Sequence, residues 1–177
     1  MASWIAKLFG KGAGKMKEPV LPWIKEFEFV LGWHEVRDNS RLAKWLKSDG
    51  ATLGDPTQLP WCGDALELAL PKEPRPGRLG ENPYWAKNWA LLGVATQPCY
   101  GAVAAFVRPS GGHVGVLVGQ TAKQFLVLGG NQGDSVSKVL IDKSRCIATR
   151  WPATFANPNY ALPMVDPTGQ PVSENEA

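Results

Sequence analysis

The sequence contains few of the residues that build metal centres and disulfide frameworks. Its 177 residues include three cysteines, two histidines and no Cys-x-x-Cys pair, a set that provides neither a metal cluster nor a disulfide scaffold. Cys99 and Cys146 either pair across neighbouring strands or, in the interpretation that we favour, are two buried apolar thiols. We therefore expect no metal and no cofactor.

Long apolar runs and a strong excess of one charge are also missing. The longest apolar stretches, such as 101–107 and 114–118, are far shorter than the roughly 20 residues that cross a bilayer. The net charge of +3 is too small to indicate a nucleic-acid partner. Residues 1–17 lack an apolar run of the length that a secretory signal requires. We expect a globular protein made in the cytoplasm without a recognisable signal peptide.

Composition predicts one folded domain with two flanking segments. An apolar fraction of 44% can fill a single core in a chain of this length, and we place that domain at residues 20–152. Residues 1–19 are a basic arm with a Gly-rich linker, and residues 153–177 are a Pro-rich acidic tail outside the core. The arm is either a weak anchor on an anionic membrane surface or, as we prefer, a disordered or packing-assisted start. Its apolar positions would share one helical face: Trp4, Ile5, Leu8 and Phe9.

Helical periodicity dominates the first half of the domain, and strand periodicity dominates the second. Four helices are predicted, over approximately 22–32, 39–47, 61–70 and 85–92. Five short β-prone runs follow and predict an antiparallel meander, at 102–107, 113–119, 124–128, 136–141 and 146–150. The expected fold class is α+β, with N-terminal helices packed on a C-terminal antiparallel sheet. A monomer is the favoured state.

Cys62 occupies the first turn of the third predicted helix, within a Trp-Cys-Gly-Asp segment. A free thiol has a pKa of about 8.5, and the partial positive charge of a helix N-terminus lowers it. A cysteine inside an apolar helix is usually buried and inert. The position of Cys62 between Pro60 and Gly63, at the start of the helix, favours a nucleophile instead.

His113 and Asn131 follow Cys62 in the chain, each beside glycines. Taken alone, each segment is typical of a surface turn. The order Cys, His, Asn is that of a papain-like thiol hydrolase, in which a thiolate attacks an acyl carbon, an imidazole moves the proton and an amide orients the imidazole. Gln132 and Asp134 are alternatives for the orienting role.

These segments, together with residues 82–93, resemble the NlpC/CHAP superfamily of cysteine peptidases and amidases, and within it the small phage-type, endolysin-like peptidoglycan hydrolases. The resemblance covers approximately 22–152. It implies a papain-like α+β fold, and it implies Cys62, His113 and Asn131 as nucleophile, base and orienter. It also implies substrate-binding positions in the cleft: Trp61, Gln132 and Glu35.

The activity that the resemblance implies is cleavage of an amide bond in bacterial cell-wall peptides, with peptidoglycan as the partner. An endopeptidase is favoured over an N-acetylmuramoyl-L-alanine amidase, acting at the cell wall after release or delivery. The alternatives are a catalytically silent phage structural or wall-binding module, and an interbacterial amidase toxin with the same chemistry. Gly63 and Asp64 depart from the family pattern, in which small apolar or aromatic residues commonly follow the nucleophile. A carboxylate so close to the thiol would either raise the pKa of the thiol by repulsion or make a contact in the cleft.

Overall fold

The structure of the protein is a computed structural model that describes residues 21–70, 82 and 84–172. In this part of the chain, no helix combines the length and the apolar character needed to span a membrane. The predicted basic arm and the last five residues of the acidic tail lie outside the described residues.

Short helices form the first half of the described chain, as the periodicity predicted. Pro22 begins α1, at a position where its missing N–H is not needed for a helical hydrogen bond. The α-helices are α1 (Pro22–Phe29), α2 (Asn39–Leu46) and α3 (Cys62–Ala69). The predicted fourth helix is instead a 3₁₀ helix, Ala86–Leu91, and its first turn closes with an i to i+3 hydrogen bond from Asn88 N to the Trp85 carbonyl at 2.9 Å.

Six strands in the described residues form one antiparallel sheet. They are β1 (Val94–Ala95), β2 (Val103–Arg108), β3 (Gly111–Gln120), β4 (Gln124–Gly129), β5 (Ser137–Asp142) and β6 (Cys146–Trp151). Their order in the sheet is β1-β6-β2-β3-β4-β5, and every pair is antiparallel. The α+β class is therefore confirmed.

The path of the last strand differs from a simple meander. Strands β2 to β5 follow one another across the sheet, but β6 returns to pair with the free edge of β2. Residues Val103–Phe106 of β2 are all buried, so their backbone groups need partners on both sides. The returning strand supplies them.

Helix α3 is the central helix of the domain. All eight of its residues are buried, and it contacts α1, α2, the 3₁₀ helix and strands β3 and β4. The core around it is rich in indole rings, of which four are almost completely buried: Trp23, Trp61, Trp89 and Trp151. Trp23 and Trp151 meet edge to face, with ring centroids 5.4 Å apart.

The acidic tail contributes to this core, contrary to the sequence-based expectation. Leu162 and Val165 are buried, and the Val165 N–H donates to the Gln120 carbonyl at 2.9 Å. The Phe155 ring packs against Trp23 at a centroid distance of 5.0 Å. Apolar residues between the prolines therefore hold the described part of the tail against the body.

Gly130 lies where the β4–β5 connection meets the start of α3. A Cβ atom added at Gly130 would lie 2.6 Å from Trp61 Cζ3 and 2.8 Å from Ala65 Cβ. Because a packed interior absorbs extra atoms poorly, we expect Gly130→Ala to lower the free energy of unfolding by about 1–3 kcal/mol, as measured by urea unfolding. Gly129→Ala is the matched control, since its added Cβ would have no neighbour closer than 3.4 Å. Equal losses in the two variants would contradict this packing.

Candidate active site

Cys62 is the first residue of α3, and its thiol faces β3. Trp61 is the N-cap of the helix, and the backbone N–H of Val114 on β3 lies close enough to the thiol to favour its anion. Burial raises the pKa of the Cys62 thiol, against the lowering effects of the Val114 N–H, the charge of Arg108 and the N–H groups of the first helical turn. The helix N-terminus therefore acts as expected, but burial outweighs it and the resting thiol is protonated.

The carboxylate of Asp64 is bonded to the loop before α3. Its Oδ2 accepts hydrogen bonds from Thr52 Oγ1 at 2.9 Å and from the Leu53 N–H at 3.0 Å. Burial, and not repulsion by Asp64, is the main cause of the raised pKa of Cys62. Asp64 therefore ties α3 to the loop that precedes it.

His113 lies on β3 directly opposite Phe106 of β2. Its side chain is 0% exposed, and its ring stacks on Phe106 with centroids 6.5 Å apart and an interplanar angle of 30°. His113 Nε2 is 2.9 Å from Gln132 Oε1. The imidazole is thus held between a ring and an amide, inside the core.

The contacts of Gln132 determine which imidazole nitrogen carries the proton. Gln132 Nε2 donates to the carbonyls of Val127, Gly129 and Ser137 at 3.2, 3.2 and 2.6 Å. Carbonyl oxygens only accept, so the amide nitrogen faces them and the amide oxygen faces the ring. His113 Nε2 must then be the donor, and Nδ1 keeps the lone pair.

His113 Nδ1 is buried without a hydrogen-bond partner among the described residues. Buried polar atoms are nearly always satisfied, and exceptions often have a catalytic role. Because Nδ1 has no partner, Cys62 Sγ makes no hydrogen bond with it in this structure. The site therefore contains a neutral thiol and a buried proton acceptor on adjoining elements.

The imidazole bond that the sequence assigned to Asn131 is made by its neighbour. Asn131 has a φ of 55°, a left-handed conformation that Asn tolerates better than most residues. Its side chain is only partly buried and makes no hydrogen bond to His113. Gln132, expected in the substrate cleft and considered as an alternative orienter, is the residue that bonds the imidazole. The turn preference of Asn in a Gly-Gly-Asn-Gln segment was the signal that could have separated the two.

Trp61 and Glu35 connect the start of α3 to neighbouring loops. Trp61 Nε1 donates to Glu35 Oε2 at 2.9 Å, and the Glu35 N–H donates to the Asp134 carbonyl at 2.9 Å. Trp61 is 1% exposed, so its ring packs in the core and is not available to line a cleft. Glu35 is partly exposed. These contacts fix the position of Cys62 relative to the 130–135 loop.

Burial controls the charge state of His113. It lowers the pKa of His113 to about 4, with further lowering by Arg108 and Arg145 and an opposing effect of the Gln132 hydrogen bond. At neutral pH the imidazole is therefore an uncharged base. Within the described residues, no group of His, Cys, Asp and Glu side chains could hold a metal ion. Cys99 and Cys146 are both free thiols, one buried and one half-buried.

Comparison of the chain with models of known protein families found no match, and comparison with curated protein sequences found no similar protein. The inference of function therefore depends on the residues of this chain and their geometry. Cys62, His113 and Gln132 are the residues that this geometry brings together.

The buried neutral imidazole predicts a specific dependence of stability on pH. A histidine in the unfolded chain titrates near 6.5, whereas the pKa of His113 in the fold is about 4. The unfolded chain binds more protons between these values, so the free energy of unfolding falls as the pH is lowered through this window. In urea unfolding, the free energy of unfolding should fall by about 2 kcal/mol from pH 7 to pH 5, and this fall should be absent in His113→Gln. The control variant His34→Gln should keep this dependence on pH. A His113→Gln variant whose free energy of unfolding depends on pH as in the wild type would refute the buried base.

Gln132 and Asn131 can be separated by the tautomer of His113. Nitrogen-15 NMR of the wild-type ring should show one species, protonated at Nε2, and Gln132→Met should give a mixture because the acceptor is lost. Asn131→Gly is the matched control, since glycine accepts the positive φ and removes only the side chain. A mixed tautomer in Asn131→Gly with an unchanged ring in Gln132→Met would reverse the assignment.

Proposed function

We propose that this protein is a cysteine hydrolase of papain-like fold that cleaves an amide bond in peptidoglycan peptides. The observation that supports this most strongly is the free Nδ1 of His113. Gln132 fixes the opposite nitrogen as the donor, so the one basic atom of the ring is unpartnered and buried beside the element that carries Cys62. A structural histidine would have no need of an unsatisfied nitrogen.

The chemistry of acyl transfer follows from these atoms. Nδ1 of His113 accepts the thiol proton, and the Cys62 thiolate attacks the carbonyl carbon of the substrate amide. The imidazolium then returns the proton to the leaving amine, which leaves an acyl group on Sγ. Water loses a proton to Nδ1 and attacks the acyl carbon. The C–S bond then breaks, the carboxylic acid is released, and the imidazolium returns its proton to Sγ. Throughout, Gln132 Oε1 accepts from Nε2–H and holds the ring in orientation.

Negative charge that develops during attack requires hydrogen-bond donors. The backbone N–H groups of Cys62 and Gly63 belong to the first turn of α3 and lower the pKa of the thiol. The first turn of a helix has no internal acceptors for its N–H groups. We assign the Cys62 N–H to the oxyanion, because preorganised donors of this kind stabilise a tetrahedral intermediate strongly in a site that excludes water.

Because the Cys62 thiol and the His113 imidazole are both neutral at rest, the thiol must lose its proton before it can attack. His113 Nδ1 has no hydrogen-bond partner among the described residues, so the Cys62 side chain must move to bring Sγ to the imidazole. Catalytic hydrogen bonds are often long in free enzymes and shorten in the substrate complex. In our proposal, substrate binding therefore triggers the transfer of the proton.

The choice of substrate comes from the resemblance of the Cys62, His113 and Gln132 segments to NlpC/CHAP enzymes. It favours a peptide bond of the stem or cross-bridge over the bond to the sugar lactyl group. A second candidate is a catalytically silent structural or wall-binding module. The burial of His113 at 0% and Cys62 at 5% exposure favours that candidate, since a substrate must reach both.

The rates at which single-residue variants hydrolyse cell walls decide between the two candidates. Clearing of a purified peptidoglycan suspension should be slowed at least about a thousandfold by Cys62→Ala and by His113→Ala, because each removes a member of one catalytic unit. Cys99→Ala removes another buried thiol and should keep nearly full activity.

Mass spectrometry of the released muropeptides then identifies the bond. New peptide amino and carboxyl termini would show an endopeptidase, and stem peptides released whole from the sugar would show an amidase. A wild-type protein that clears walls no faster than Cys62→Ala, with no new termini, would refute the enzyme and leave the silent module.

A further inference from the structure

Arg108 lies on the same face of the sheet as His113. Phe106 pairs directly with His113 across β2 and β3, and their rings stack. Side chains two residues apart on a strand point to the same face, so Arg108 is the next side chain on that face beyond Phe106. It is exposed at the end of β2, whereas Phe106 and His113 are buried. Arg108 therefore lies at the exposed end of the sheet face that carries His113.

The position opposite Arg108 is open. Gly111 pairs with Arg108 in the β2–β3 register, and a Cβ added at Gly111 would meet no atom within 4 Å. A glycine across from an arginine leaves space in which a bound group can contact the guanidinium. That space adjoins His113, which is two residues further along β3.

A second guanidinium strengthens the positive charge at this end of β2. Arg145 Nε donates to the carbonyl of Val107 at 3.1 Å, which anchors its side chain beside Arg108. The side chain of Arg108 makes no hydrogen bond or ion pair with the residues that the structure describes. Its charge nevertheless lowers the pKa of both the Cys62 thiol and the His113 imidazole. An unneutralised cation thus lies close to both reacting groups.

We propose that Arg108 binds a carboxylate of the substrate in the open space beside Gly111, and so selects peptides that carry a free carboxylate next to the scissile amide. The planar fork of a guanidinium matches a carboxylate with two parallel hydrogen bonds. Arg145 adds charge without leaving its backbone anchor. This assignment of a substrate class builds on the proposed hydrolase.

The carboxylate site can be tested at Cys62 without any hydrolysis. Iodoacetate and iodoacetamide are nearly the same size and differ in charge, and both lose iodide as the thiolate sulfur forms a C–S bond. The rate constant at Cys62 is followed for each reagent by peptide mass spectrometry. The ratio of the two constants cancels any change in the pKa of the thiol, because both reagents consume the same thiolate.

Arg108→Gln should lower the ratio of iodoacetate to iodoacetamide rate constants about tenfold, and Arg108→Lys should keep part of the preference. Lys47→Gln removes one exposed positive charge at the C-cap of α2 and should leave the ratio unchanged. The same four proteins are then assayed on two matched peptides, one with a free carboxylate beside the scissile amide and one with a carboxamide. In Arg108→Gln, kcat/KM should fall about tenfold on the first peptide and little on the second.

The alkylation and peptide assays test the carboxylate site and the hydrolase separately. If Arg108→Gln hydrolyses both peptides at wild-type rates and keeps the alkylation ratio, the carboxylate site is refuted and the hydrolase stands. Equal losses on both peptides with an unchanged alkylation ratio would also refute it. If the wild type cleaves neither peptide nor cell walls but the alkylation ratio depends on Arg108, the hydrolase fails and an anion-binding site at Cys62 remains.

Discussion

Close approach between the start of α3 and its neighbours is the constraint on which the candidate site depends. Gly130 allows the β4–β5 loop to contact the Trp61 ring, and a Cβ at Gly63 would lie 2.6 Å from the Tyr84 carbonyl oxygen. A Cβ at Gly112 would lie 2.9 Å from Lys87 Cγ. Each contact brings the backbone of one element against another, because no side chain intervenes. Together they pack the helix that carries Cys62 against the strand that carries His113, whose imidazole is bonded to Gln132.

Low exposure then determines the electrostatic behaviour of these groups. In a poorly solvated interior, charged forms are costly and fixed dipoles act strongly. The imidazole is therefore neutral and the thiol protonated, although a helix N-terminus and the Arg108 guanidinium favour the thiolate. In the proposed hydrolase, the free-energy cost of forming the thiolate–imidazolium ion pair is met only when a substrate carbonyl is present to accept the attack. Such a resting state protects the thiol from oxidation, since the thiolate is the form that oxidants attack.

Much of the fold was predictable because periodicity reports local structure directly. The apolar spacing of Trp23, Ile24 and Phe27 predicted α1, and five of the six strands lie where β-prone runs predicted them. The two-residue β1 was missed because so short a segment has no period. The place of β6 beside β2 could not be predicted, because alternation identifies a strand but not its partner.

The site was predictable in part, and for similar reasons. The positions of Cys62 and His113 follow from the helix start and the glycine-flanked strand. The choice between Asn131 and Gln132 depended on one φ angle, since a left-handed residue at 131 turns the chain so that residue 132 bonds the imidazole. Arg108 had no signal in the sequence, because an arginine at the end of a strand is ordinary. Only the pairing with Gly111 and the stacking of Phe106 on His113 relate it to the site.

The return of β6 to the edge of β2 also affects how the chain folds during synthesis. The strands β2 to β5 leave the ribosome before Cys146–Trp151, so the edge of β2 is open until the last strand arrives. An exposed strand edge pairs readily with other chains, and contacts between distant segments form slowly. The thiol-bearing helix is synthesised early, yet the sheet behind it is complete only when most of the chain has emerged. Premature termination before residue 151 would therefore yield an aggregation-prone chain in place of a smaller folded domain.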